Sequence, residues 1–301
     1  MKKLFAPLMI ACAVAFASAN PAFSQKAKGG KVVVVNSSES SLRSKTYKLQ
    51  SVSGIKAGSV FDIEITRGRS GKVTISAPSE TLEHIIVSES GGILTLRLEN
   101  GYNISNSKSR WYSRTKNLKG PIKVSADIQS LSSIDLSGAA KLTAKESFSE
   151  KNCDIELSGA TKVSLSKLNA SSIKIDMSGA SELSFTGSFE TAKADLSGAS
   201  KLSVNGNFSE KLDADLSGAS KLTISGKTDR TELECSGASM FSGAGFVTKD
   251  LAIEMSGASK VAVGVQKRIA GEVSGASSLI YYGDPDKVVI EKSHGASVGR
   301  K

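Results

Sequence analysis

Short runs of alternating apolar and polar residues recur through the second half of the chain, and each run ends in Ser-Gly-Ala. The tripeptide begins at Ser137, Ser158, Ser178, Ser197, Ser217, Ser236, Ser256 and Ser274, with an altered copy at His294-Gly295-Ala296. The residue before each Ser is Leu136, Leu157, Met177, Leu196, Leu216, Cys235, Met255 or Val273. Three before it stand Ile134, Ile155, Ile175, Ala194, Ala214, Leu233, Ile253 and Gly271. The residue between them is acidic in every copy: Asp135, Glu156, Asp176, Asp195, Asp215, Glu234, Glu254 and Glu272. Apolar, acidic, apolar is the period of a strand with one face in a core and one in water.

A second strand follows each tripeptide, with inward positions at Leu142/Ala144, Val163/Leu165, Leu183/Phe185, Leu202/Val204, Leu222/Ile224, Val261/Val263 and Leu279/Tyr281. A third apolar contact falls at Phe148, Leu168, Phe189, Phe208 and Val247, with polar Thr228 taking its place once. The intervals between copies are 21, 20, 19, 20, 19, 20, 18 and 20 residues. A fixed period of this length marks a solenoid, whose units bury their apolar faces only against one another. Three inward patches per turn predict an all-β, three-sided parallel β-helix of about nine coils over residues 126–301, wound right-handed by the crossover preference of twisted strands. Gly138, Gly159, Gly179, Gly198, Gly218, Gly237, Gly257 and Gly275 are expected at a sharp corner that needs positive φ. The motif therefore reads as structural; the Gly-x-Ser-x-Gly setting of a hydrolase nucleophile is absent.

Residues 45–125 follow a different pattern. Phe61-Asp62-Ile63-Glu64-Ile65, Val73-Thr74-Ile75 and Leu94-Thr95-Leu96-Arg97-Leu98 alternate as strands. Pro78-Ser79 opens a short predicted helix with Leu82, Ile85 and Ile86 on one face. This β-rich unit is expected to cover one end of the solenoid, whose strand edges would otherwise invite aggregation. Residues 25–44 read as a flexible lead. Residues 1–24, with Lys2, Lys3 and the apolar run Leu4–Ala17, read as a secretory signal peptide too short to span a bilayer.

The pattern resembles the autotransporter adhesin head GIN domain family of exported bacterial proteins. The resemblance runs from about Tyr47 to Val298. It rests on Phe61-Asp62-Ile63-Glu64-Ile65 with Gly68, on Ile93-Leu94-Thr95-Leu96, on Ile134-Asp135-Leu136-Ser137-Gly138-Ala139, and on Tyr282-Gly283-Asp284-Pro285. It implies an N-terminal β unit joined to a β-helix, in exported or cell-surface proteins, and brings no active site with it; the chain as a whole is expected in the periplasm or at the cell surface.

The formal net charge is +10. Loss of Lys2 and Lys3 with residues 1–24 lowers it to +8, so the exported chain is expected to meet anionic polysaccharide or cell-envelope surfaces. No nucleic-acid reader motif, cofactor motif or transmembrane segment in the mature chain is apparent. Cys153 and Cys235 lie four coils apart, too far for a disulfide, and read as core residues. Three alternatives remain for the chemistry. The stretch around Arg110, Trp111, Tyr112 and Arg114 combines charge with aromatic rings, which suits anionic sugars or headgroups. The acidic column stacks like charges at ~4.8 Å, each pair repelling by roughly 0.9 kcal/mol in bulk water. Lys141, Lys162, Lys201, Lys221 and Lys260 would balance it across the corner, or an oxygen-liking cation such as calcium would bridge it. A polysaccharide-active enzyme is the rival class, but it needs irregular loops and converging acids, and these near-uniform coils offer only His84 and His294 as bases.

Overall fold

The computed structural model describes residues 33–35, 42–104, 116–293 and 295–301. The chain begins with β1 (Val33–Val35), β2 (Leu42–Lys48), β3 (Gly54–Ala57), β4 (Phe61–Arg67) and β5 (Lys72–Pro78). After helix α1 (Ser79–Glu83) come β6 (Ile85–Ser90), β7 (Ile93–Leu98), β8 (Tyr102–Ile104), β9 (Lys116–Leu118), β10 (Ile122–Ile128) and β11 (Ser133–Leu136). Long bent strands then follow: β12 (Lys141–Leu157), β13 (Lys162–Met177), β14 (Glu182–Leu196), β15 (Lys201–Leu216), β16 (Lys221–Cys235), β17 (Met240–Met255) and β18 (Lys260–Val273). The last elements are β19 (Ser278–Tyr282), β20 (Lys287–Lys292) and β21 (Ser297–Arg300).

From β11 to β21 every pairing is parallel and joins neighbouring levels, so the chain winds as a β-solenoid. It makes about eight turns, one fewer than the nine tripeptide copies suggest. Each long strand covers more than one face of the prism and bends where the register shifts, as at Ala144/Ser147 and Phe189/Thr191. From β12 to β18 the strands are interrupted at the Ser-Gly-Ala corners alone. There the glycine φ lies between 67° and 80°, and from the second corner on the amide after the glycine donates to the glycine carbonyl one coil below, as Ala180 does to Gly159 at 2.7 Å.

The core is one continuous apolar cluster running from Tyr47 to Ala296. Phe189 stacks on Phe208 with ring centroids 5.5 Å apart, and Phe246 meets Phe208 edge-on at 6.0 Å. Phe246, not the expected Val247, fills the third apolar slot of its coil, because β17 bulges between Ser242 and Gly245 and so moves its pairing with β16 by one residue. Thr228 and Thr248 are buried and stacked in register; each hydroxyl donates to a backbone carbonyl two residues on, at 3.3 and 2.9 Å. The position after Ala in the tripeptide forms a buried column of Ala140, Thr161, Ser181, Ser200, Ser220, Ser239, Ser259 and Ser277. Among the described residues, the Thr161, Ser181, Ser200 and Ser220 hydroxyls in it have no hydrogen-bond partner.

The first coil has a level beneath it. β3 pairs with β11 and β4 with β12, both parallel, so residues 54–67 occupy two faces of the prism. Ser59, at φ 79°, takes the corner under Gly138 and accepts the Ala139 amide at 2.8 Å. β7 lies below β3, and β6 folds back on β7 antiparallel, while β2 and β5 pair antiparallel beside β10. Helix α1 is a single turn, shorter than the predicted helix; Ile85 and Ile86 open β6 instead, Ile85 being buried. Pro78 precedes that turn without a side-chain cap, and the β-branched run Ile85-Ile86-Val87 leaves it as a strand.

Candidate functional site

Two charged ladders flank the Ser-Gly-Ala corner. On the face before it, Asp135, Glu156, Asp176, Asp195, Asp215, Glu234, Glu254 and Glu272 stand in strict register. Glu291 of β20 continues the ladder beside Glu272. A shallow groove of about 570 Å³ follows its first half, where Asp135, Glu156, Asp176, Asp195 and Asp215 line it together with the corner serines.

The compensating lysines are not those the sequence suggested. Lys141, Lys162, Lys201, Lys221 and Lys260 point out of the next face, since the corner turns the chain before they are reached; among the described residues none pairs with the ladder. Lys56 pairs with Asp135 from the coil level beneath. Lys174 meets Asp176 at 2.5 Å and Lys193 meets Asp195 at 3.5 Å, each from two residues earlier on the same strand and face. Burial, with the neighbouring Asp176 carboxylate adding to it, holds the Asp195 carboxyl above its ordinary range against the pull of Lys193. Carboxylate oxygens of Asp154, Glu156 and Asp176 approach within 4.8 Å of one another.

On the face after the corner a second ladder reads Lys141, Lys162, Glu182, Lys201, Lys221, Met240 and Lys260 in register. Lys162 reaches Glu182 at 3.0 Å. Lys201 stacks directly on Lys221, and among the described residues neither forms an ion pair. Two residues further along each strand lies a column of hydroxyls: Thr143, Ser164, Ser184, Ser203, Thr223 and Ser242. With Thr186, Asn205 and Ser225, part of it lines a shallow depression of about 410 Å³. Reading for charge alone missed this flat strip of hydroxyl and amide groups. Its signal was present in the outward alternation of Ser and Thr between Leu202, Val204, Leu222 and Ile224.

Arg110, Trp111, Tyr112 and Arg114 fall outside the described residues, as does His294. The segments flanking that stretch, β8 and β9, pair in parallel as a two-stranded sheet. His84 is half-buried just after α1: it stacks on Tyr102 at 3.7 Å and its Nδ1 lies 2.9 Å from Glu99. Cys153 and Cys235 are free and buried, and burial pushes each thiol up to about 12. Thiols held so far from ionisation are core residues, not nucleophiles.

The fold and its surface define a β-solenoid that carries charge and hydroxyl ladders along flat sides. The chain belongs to the family described as "Putative auto-transporter adhesin, head GIN domain", whose profile matches residues 52–207 and 203–285. Its fold is that of crystallised bacterial proteins of low sequence identity. A "putative adhesin" from Parabacteroides distasonis is 16% identical with a TM-score of 0.62, over 86% of this chain and 97% of that one. A "putative adhesin" from Parabacteroides merdae is 13% identical with a TM-score of 0.53, over 86% and 96%. A "putative lipid binding protein" from Parabacteroides distasonis is 14% identical with a TM-score of 0.54, over the same shares. A comparison with curated proteins returns no match. No helix among the described residues is long and apolar enough to cross a membrane.

Proposed function

We propose that this chain is an exported, non-catalytic adhesin that holds an acidic glycan along the lysine and hydroxyl ladders of its solenoid. The observation that supports this reading is the stacking of Lys201 on Lys221 in register, neither of which forms an ion pair among the described residues. Like charges opposite one another destabilise a sheet. A polyanion lying along the axis relieves that repulsion, and the adjacent Ser203, Asn205, Thr223 and Ser225 offer hydrogen bonds to sugar hydroxyls. Binding to an immobilised polyuronate is expected to weaken at least about tenfold in the Lys201→Glu/Lys221→Glu variant, a change of about 1.4 kcal/mol. It should also fall as ionic strength shortens the Debye length. Unchanged binding by the double variant removes the site. Arg110, Trp111, Tyr112 and Arg114 are proposed as a second contact, and unaltered binding by Trp111→Ala and Arg110→Ala makes their stretch a connector only.

The approach of Asp154, Glu156 and Asp176 favours a second reading, on the face before the corner: a divalent cation such as calcium bridging the acid ladder. Lys174, ion-paired with Asp176, would have to give way. Millimolar calcium should then raise the melting temperature and a chelator reverse it; no shift in either direction dismisses the cation. The enzyme alternative calls for a deep cleft with converging acids, whereas here the acids run in a straight line along a shallow groove.

A further inference from the structure

The two ends of the solenoid differ. At the N-terminal end β6 turns back on β7, β2 on β5, and α1 buries Leu82. At the other end, among the described residues, β20 pairs with β18 alone and β21 with β19 alone. Each keeps a row of backbone groups without a strand partner, the arrangement that templates pairing with another chain. Among the described residues, the large hydrophobic side chains left exposed are Val288, at 44%, and Val289, at 48%, and both belong to β20.

The pairing of β20 with β18 fixes where its side chains point. Val288 lies beside buried Ile269, so Val288 and Ile290 face the core, while Lys287, Val289 and Glu291 face outward. Val288 is thus a core-facing residue that no further coil covers among the described residues. The outward charges are also poorly placed within their own sheet, since Lys287 stands beside Arg268 and Glu291 beside Glu272.

We propose that this end is the interface of a twofold dimer, in which β20 pairs antiparallel with the same strand of a second copy about Val289. A twofold axis along the outward normal of that face keeps inward residues inward, so Val288 meets Ile290 of the partner subunit and the core continues across the junction. In this register Lys287 lies opposite Glu291 of the partner subunit, and the reciprocal pair forms by symmetry. A one-residue slip would turn apolar positions to the solvent side. A two-residue slip in either direction puts one of the charges opposite Val289. Only the register centred on Val289 gives both charges opposite partners and both core residues apolar ones. The interface is isologous and closes on itself, as most soluble dimers do. It would carry two lysine ladders on one rigid body.

Sedimentation equilibrium of the purified protein into the tens of micromolar should find a dimer. Lys287→Glu and Glu291→Lys should each raise the dimer dissociation constant at least about tenfold, or about 1.4 kcal/mol. The double variant Lys287→Glu/Glu291→Lys should restore it, which a general loss of folding would not do. Val289→Cys should form a disulfide with its own copy under mild oxidation, because the two residues face each other across the axis and Cys153 and Cys235 are buried. A monomer throughout that range overturns the proposal. So does a dimer indifferent to the single reversals, a head-to-tail filament, capture of another protein by this end in place of a second copy, or a cysteine variant that fails to cross-link.

Discussion

Replacing Gly179 by alanine tests the stacked corner most directly. At φ 71° an L side chain costs about 1–2 kcal/mol over glycine. A methyl built there would lie 2.4 Å from the Gly159 carbonyl oxygen and 2.9 Å from the Gly159 nitrogen. That oxygen is held in place because it accepts the Ala180 amide at 2.7 Å, so it can yield only by giving up a ladder hydrogen bond. Overpacking of this kind costs roughly 1–3 kcal/mol, which brings the expected total to roughly 2–5 kcal/mol. Two controls separate the contributions. Gly91, at φ 59°, has open space around its added methyl, so Gly91→Ala should lose only the backbone part, about 1–2 kcal/mol. Gly299 has neither positive φ nor a neighbour within 4 Å, and Gly299→Ala should be close to neutral. Urea unfolding followed by far-ultraviolet circular dichroism should rank the midpoints in that order. Hydrogen exchange should place the loss in the coils around residue 179, since solenoid units couple mainly to their neighbours. If Gly179→Ala is no more destabilising than Gly91→Ala, backbone stacking at the corner is not what demands glycine.

Two further expectations concern polar groups inside and along the coils. Ser200→Ala deletes a buried hydroxyl that has no partner and should be neutral or stabilising by up to about 1 kcal/mol in the same urea assay, because Ala140 already fills the equivalent slot. Ser277→Ala should instead be destabilising, since the Ser277 hydroxyl donates to the Ser274 carbonyl. Asp195 binds its proton more tightly in the fold than in the unfolded chain, so its contribution to stability falls as pH rises from the ordinary value of 3.8 through the raised one. Asp195→Asn should therefore raise the melting temperature at neutral pH, with the advantage over the parent disappearing below about pH 4; a lower melting temperature at pH 7 would mean that the ion pair with Lys193 outweighs burial and the Asp176 carboxylate.

The corner was legible because its residues repeat, and so were the inward columns Leu136–Leu157–Met177 and Leu142–Val163–Leu183, because strand period and coil period coincide. The level formed by Gly54–Arg67 was hidden for the opposite reason. Lys56 stands where the later coils carry an acid, and Ser59 where they carry glycine, so no repeat pointed to a coil there. The ion pairs of the acid ladder were misassigned because sequence distance was read as proximity across a corner. Lys174 and Lys193 reach Asp176 and Asp195 by the simpler two-residue rule of a strand face. Phe246 and Val247 exchanged places because a register shift is set by local bulging, which leaves no mark in an apolar pair. The hydroxyl strip went unnoticed because serine and threonine outside a strand carry no charge and read as ordinary surface.

The lysine ladder has a length, and length supplies a sharper test than charge. Glu182 divides it, leaving Lys141 and Lys162 on one side and Lys201 and Lys221 on the other. Lys141 and Lys221 are four coils apart, about 19 Å at the spacing of neighbouring strands. An acidic oligosaccharide shorter than this engages one lysine pair and gains little. One that spans both pairs makes its second contact at the high effective concentration of a tethered ligand, and its affinity should rise steeply at that length. Longer chains should then gain only gradually, through Lys260 and statistical repetition. Glu182→Lys should remove the interruption, flatten the step and strengthen binding of short oligomers. Titration calorimetry across a series of oligouronates of increasing length reads both effects. An affinity that climbs smoothly from the shortest oligomer, or that does not respond to Glu182→Lys, would mean that the ligand does not lie along the axis.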